Sequence, residues 1–207
     1  MMTRLHRHQL ALLGDAAWER LLAGDWDEQA HACLTHWAAR RLPLVVTRQQ
    51  GPAELVALGL PAPQRWGQRR IALAVPRAQI AWFDEFPEAS ALRRLRPLHR
   101  ALKSRGITAR IYGSRGWRLI TGLADYLHEG SDLDLWLTVA DEAQADEAAA
   151  LLAAAPAYRP RLDGELMFAD GSAVAWREWQ VWRAGAARQL LVKTLDGCLL
   201  RGALGAA

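Results

Sequence analysis

The chain has 207 residues, 51% of them hydrophobic and 23% charged, which excludes a disordered polymer and leaves apolar mass for one or two domains. Lys and Arg outnumber Asp and Glu by 26 to 22; this net charge of +4 suits an anionic partner without choosing among nucleic acid, a phosphate-rich small molecule and an acidic protein. No apolar run reaches the roughly 18 residues that span a bilayer, and MMTRLHRHQL lacks a signal-peptide core, so the expected setting is cytoplasmic with no membrane partner.

Helix and strand patterns mix in the first part. EQAHACLTHWAARRL reads as a helix, and LPLVVTRQ and RRIALAVP read as short strands punctuated by Gly51-Pro52 and PAPQRWG. These predict a smaller α/β domain over residues 1–88, with DEFPEAS as the boundary to a second domain over residues 89–207. In the second, LRRLRPLHRALKSRG is helical beyond Pro97 and stops at Gly106. ITARIYG is a strand ending on glycine, and DLDLWLTV is a second strand after a long turn. DEAQADEAAALLAAAP is a helix that Asp141 caps, with Gln144 placed as in a capping box and Pro156 at its end. LDGELMF and SAVAWREWQVW flank Ala169-Asp170-Gly171 as the arms of a hairpin, and RQLLVKT is a last short strand. The expected fold is α+β, a mixed sheet with helices mainly on one face.

Two cysteines, Cys33 and Cys198, lie far apart and read as small buried apolar residues. Ten tryptophans are scattered singly, so most belong to the core, with a few free to stack on a base.

Asp132 and Asp134 stand one residue apart in an apolar strand. Period-two alternation puts both on one face, about 7 Å apart at Cα, while Leu133, Leu135 and Leu137 serve the core. Their like charges repel unless a divalent cation is shared, and oxygen-only ligands select Mg²⁺ or Mn²⁺ over zinc. The bland alternative is a turn capped by Ser131-Asp132 with Asp134 facing solvent. A glycine after the preceding strand adds a second signal. Gly113 lets backbone approach a ligand, Ser114 and the following amides can cradle a phosphate, and Arg115 and Arg118 lie just beyond as phosphate contacts or solvated turn charges. A phosphate turn beside a metal-binding strand is what phosphoryl or nucleotidyl transfer requires.

Y-G-S followed by S-D-L-D-L resembles the nucleotidyltransferase superfamily related to DNA polymerase β. The fuller string G-S-x-x-W-x-x-x-T-G-L-x-Y, then S-D-L-D-L, resembles the phosphoribosyl-dephospho-CoA transferase of malonate decarboxylase, its holo-acyl-carrier-protein synthase. The likeness extends to Arg7, His8 and Leu10, to Asp163–Glu165, to Ala173–Trp179 and to Leu191–Thr194. It implies a polymerase-β-like nucleotidyltransferase sheet. The implied donor is 2′-(5-triphosphoribosyl)-3′-dephospho-CoA, and the acceptor is a serine on the apo acyl carrier protein subunit of malonate decarboxylase. Pyrophosphate leaves. Asp132 and Asp134 would hold the metal ion, and Gly113, Ser114 and Arg115 the phosphates.

Such sites add a third carboxylate. Glu178, sharing a strand face with Val174 and Trp176, is ranked ahead of Glu165 for that place. Lys193, in an apolar strand, needs an anion, either a phosphate of the donor or solvent at an exposed edge. His31 and His36 lack the spacing of a shared ligand face. His128 reads as a turn residue, and Trp117 and Tyr126 either pack or shape the pocket. Two other functions compete: nucleotidyl transfer from a common nucleotide, and a non-catalytic nucleic-acid-binding module. The latter lacks basic runs interleaved with aromatics. The first domain carries no catalytic signature and is open between docking the carrier protein and holding the pantetheine arm.

Overall fold

Residues 5–156 and 160–202 are described by a computed structural model. The chain divides into two units: one runs to Phe86 and takes in Arg118–Tyr126, the other comprises Pro87–Trp117 and the chain from Leu127 onward.

In the first unit, β1 (Leu10–Leu13), β2 (Leu44–Val46), β3 (Leu55–Pro61), β4 (Arg70–Pro76) and β5 (Ile80–Asp84) form a sheet of order β4-β3-β2-β1-β5. Every pairing is antiparallel. Ile71, Leu73 and Val75 of β4 are buried while the residues between them are exposed, as in a sheet with one wet face. Two helices accompany it, α1 (Asp15–Leu22) and α2 (Glu28–Ala39). The Asp27 carboxylate caps α2, accepting from the Ala30 amide at 3.0 Å. The expected helix and both expected strands are present, but the unit is one antiparallel sheet, in which β5 crosses over to pair with β1, with helices rather than repeated α/β units. The returning segment Arg118–Tyr126 is tied in by Asp125, which accepts from Arg65 Nε at 2.7 Å, and by Tyr126 Oη, which donates to the Pro61 carbonyl at 2.6 Å.

In the second unit, α3 (Arg96–Lys103) leads into β6 (Thr108–Ile111). The expected long turn opens with a helix, α4 (Gly113–Thr121). Then follow β7 (Leu133–Val139), α5 (Glu142–Ala154), β8 (Leu162–Phe168), β9 (Ala173–Ala175), α6 (Trp176–Arg183), β10 (Gln189–Lys193) and β11 (Cys198–Gly202). The sheet order is β11-β10-β9-β8-β7-β6, with β7 and β8 parallel and the other pairings antiparallel. Leu133, Leu135, Leu137 and Val139 of β7 share one buried cluster with Leu98 and Leu102 of α3, with Ala145 and Leu152 of α5 and with the tryptophans of α6. These helices therefore line one face, as expected of the α+β pattern.

α5 begins as its sequence indicates: Asp141 accepts from the Gln144 amide at 2.9 Å, and the Gln144 side chain accepts from the Ala140 amide at 2.7 Å. The β8–β9 turn closes through Phe168 N to Ser172 O at 2.8 Å. Three expectations change. AWREWQVW is not a strand arm, because Trp176, Trp179 and Trp182 recur at helical spacing and bury as one stripe of α6. A further strand, β11, follows RQLLVKT. Cys198 is exposed on it, whereas Cys33 is buried as expected, and burial pushes its thiol up to about 12. Seven of the ten tryptophans are buried, so most of the indole content is core. Among the described residues no helix is long and apolar enough to cross a membrane.

Candidate active site

The carboxylates gather where β7 begins. Ser131 closes the turn before it, its hydroxyl accepting from the His128 amide at 2.9 Å, which fixes His128 as a turn residue. Asp132 and Asp134 then project from the face opposite the buried leucines, as alternation requires. Parallel pairing sets Asp134 beside Asp163 of β8, and Trp136 beside Glu165. Strands pair this closely because Gly164 has no side chain: a Cβ there would run into the Leu135 backbone. Arg161 supplies the positive charge between two of these acids, lying 3.0 Å from Asp132 Oδ2 and 3.1 Å from Asp163 Oδ2.

The glycine turn abuts the same acids. Gly113 has φ +62°, and a Cβ on it would collide with the Asp134 carboxylate. The Tyr112 amide donates to the Asp134 carbonyl at 3.1 Å, locking turn to strand. Gly113 is also the first residue of α4, so Gly113, Ser114 and Arg115 form a helix start, where backbone N–H groups face outward and favour anions. All three are half-buried.

Burial, then the charges of Asp163, Asp132 and Glu165, push the Asp134 carboxyl up to about 6, against an opposing pull from Arg115. A carboxylate held this reluctantly is relieved by a cation or by a proton taken from a substrate. The all-oxygen donor set of Asp132, Asp134 and Asp163 fits a hard divalent ion. Among the described residues no three His, Cys, Asp or Glu side chains are already spaced as a metal-binding group.

Asp132, Asp134, Gly113, Ser114 and Arg115 thus come together. Glu178 does not join them. It lies exposed on α6, whose tryptophans pack on the helix-covered face of the sheet, so its predicted strand position is corrected to a helix surface. Glu165 is buried on the carboxylate face and is bound by Lys193 at 2.6 Å, so the anion beside Lys193 is a protein carboxylate. Trp117 and Tyr126 are both buried. Asp163 and Arg161 were missed as site residues. The D-G-E string held the signal for the first, since Asp163 and Glu165 also obey period two, but the parallel register joining them to β7 is a long-range fact.

Two family models match the chain: "Phosphoribosyl-dephospho-CoA transferase MdcG C-terminal domain" over residues 76–203, and the corresponding N-terminal domain over residues 6–86. Curated relatives bear the name phosphoribosyl-dephospho-CoA transferase. One from Bradyrhizobium diazoefficiens is 36% identical over 94% of this chain and 88% of its own length. One from Xanthomonas campestris pv. campestris is 36% identical over 94% and 92%. One from Pseudomonas putida is 38% identical over 77% and 78%. No solved structure matches.

Proposed function

The chain belongs to the phosphoribosyl-dephospho-CoA transferase family, and we propose on that premise that it loads the apo acyl carrier protein subunit of malonate decarboxylase. The donor is 2′-(5-triphosphoribosyl)-3′-dephospho-CoA. The catalytic unit is of the polymerase-β-like nucleotidyltransferase type, a reading supported by its mixed sheet, its Gly-Ser helix start and its paired aspartates.

The observation that carries the reading is the Asp134 carboxylate seated against Gly113, where any side chain would collide. It brings an acid cluster and an anion-favouring helix start to one place. The amides of Ser114 and Arg115, with the Arg115 guanidinium, hold the two outer phosphates of the donor. Asp132 and Asp134, with Asp163 beside them, would hold Mg²⁺ or Mn²⁺, which when bound would offset the negative charge of the triphosphate and of the departing pyrophosphate. Asp134, beside the incoming hydroxyl, takes the proton of the acceptor serine. The seryl oxygen bonds to the phosphorus nearest the ribose as the bond from that phosphorus to the bridging oxygen breaks, and pyrophosphate leaves with that oxygen.

The test is incubation with labelled donor, Mg²⁺ and folded apo carrier protein. Label should appear on the carrier, vanish when the metal is chelated and return when Mg²⁺ is restored. Absence of label with both proteins folded overturns the proposal. Pyrophosphate release from ordinary nucleotides, with none from this donor, would replace it by common nucleotidyl transfer.

A further inference from the structure

The stretch Arg93–Arg105 contains six Lys or Arg residues and no acid, more positive charge than the whole chain's net +4, so the remainder of the chain is net negative. The basic excess of this protein is therefore a local feature. Leu95, Leu98 and Leu102 bury one side of α3 and the turn before it, while Arg93, Arg94, Arg96, Arg100 and Lys103 are exposed on the other. Two acids from neighbouring segments lie alongside: Glu88 faces His99 at 3.5 Å, and Glu147 of α5 faces Arg105 at 3.5 Å. Arg96 reaches the Ser90 carbonyl at 3.3 Å. Among the described residues Arg93, Arg100 and Lys103 have no acid partner. Several arginines elsewhere are matched to acids, as Arg65 is to Asp125, Arg183 to Asp146 and Arg201 to Glu142.

Position adds a second argument. The first turn of α3 carries no acid, and three arginines crowd its start, where the helix dipole disfavours cations. Fold stability alone does not select that arrangement. The chain before α3 runs beside β6: the Ile111 amide donates to the Pro87 carbonyl at 2.8 Å, and the backbone of Glu88 forms an antiparallel β-bridge with Arg110. α3 itself packs on the helix-covered face of the sheet, where Leu98 and Leu102 meet the β7 leucines. Its cations run for about 12 Å along the exposed side of the helix.

We propose that this arginine-rich flank of α3 is the docking face for an acidic protein, the acceptor whose serine is modified. The inference rests on the transferase reading above for the identity of that acceptor. Opposite charge attracts the acceptor from solution and orients it on the enzyme before its serine reaches the carboxylates. The flank offers no exposed ring for base stacking, its one aromatic-type residue, His99, being buried, which favours a protein partner over single-stranded nucleic acid.

Anisotropy of a fluorescently labelled apo carrier protein reads docking directly, without turnover. With full-length protein at about 0.1 M salt, the charge-reversed variant R96E/R100E/K103E should weaken carrier binding by about tenfold or more, and the neutral R93Q/R94Q variant by a smaller factor. In label transfer, the KM for carrier should rise in parallel while kcat at saturating carrier stays within about twofold. Raising salt to about 0.5 M should weaken wild-type binding toward that of the variant. Unchanged thermal midpoints exclude misfolding as the cause. Carrier binding by the wild type that is absent, or equal in the variants, overturns the proposal, as does a DNA or RNA duplex binding this flank more tightly than the carrier. Failure of label transfer with docking intact would instead count against the transferase reading alone.

Discussion

In the first unit each acid that shifts is matched to an arginine, whereas at the start of β7 and β8 acids are massed against one another. Asp27 is held down to about 2, first by its hydrogen bond from Arg69 and then by the Ala30 amide. Asp125 is held below the usual carboxylate range by Arg65. Asp134 goes the other way, to about 6, through burial and the neighbouring negative charges. Sheet topology accounts for the contrast. The first sheet is antiparallel throughout and keeps its paired acids off its strands. The second contains a parallel pair that brings Asp134 and Asp163 into register. The matched acids stabilise local structure, and the massed acids hold a charge that folding alone does not favour.

The strongest way to break this contrast is Asp134→Asn. Transfer to the carrier protein should fall by about 1,000-fold or more, measured as label incorporated per minute, with the fold intact by circular dichroism. Near-normal turnover would remove Asp134 from the chemistry. Next in size is Lys193→Met, which removes the cation bound to the buried Glu165 carboxylate on the same sheet face. Unfolding in urea should show a loss of about 2 to 3 kcal/mol, and restoring the balance with Glu165→Gln should recover part of it.

Asp134→Asn has a second, smaller effect of opposite sign. In metal-free protein, native Asp134 keeps its proton up to about 6 while the unfolded chain loses it near 3.8. The native state therefore binds more protons between those values, and the contribution of Asp134 to stability falls as pH rises through them. The variant should be more stable than the parent by about 1 to 2 kcal/mol at pH 8, a margin discounted for partial exposure, and the gain should disappear below about pH 4. Asp27 has the reverse dependence: its stabilisation is present above about 4 and is lost as pH falls toward about 2, so Asp27→Ala should lower the melting temperature at pH 7 and have little effect near pH 2. Smallest of all is Glu178→Gln, where transfer should remain within about twofold of the parent, because the residue lies on an exposed helix surface.

Local rules made some of this legible in the sequence. Alternation placed Asp132 and Asp134 on one face, the Asp141–Gln144 pair marked the start of α5, and Ala169-Asp170-Gly171 marked a turn. Where two periods fit one string, the wrong one was favoured: AVAWREWQVW alternates over its first residues, yet its three tryptophans obey the helical period, and burying three indoles outweighed strand propensity. α4 was hidden because glycines at 113 and 116 weaken helix propensity and read as turn chemistry. Asp163, Arg161 and the Glu165–Lys193 pair depend on register across β7, β8 and β10, which no local pattern encodes. The return of Arg118–Tyr126 to the first unit likewise depends on remote partners, Arg65 and Pro61.

That return has a consequence for biosynthesis. The amino-terminal body cannot finish closing when the chain up to Phe86 leaves the ribosome, since Asp125 and Tyr126 are translated later, after β6 and the glycine bend. Cutting the gene at the apparent border would therefore yield a fragment lacking part of its own clasp, and supplying a peptide that spans 118–126 should rescue it.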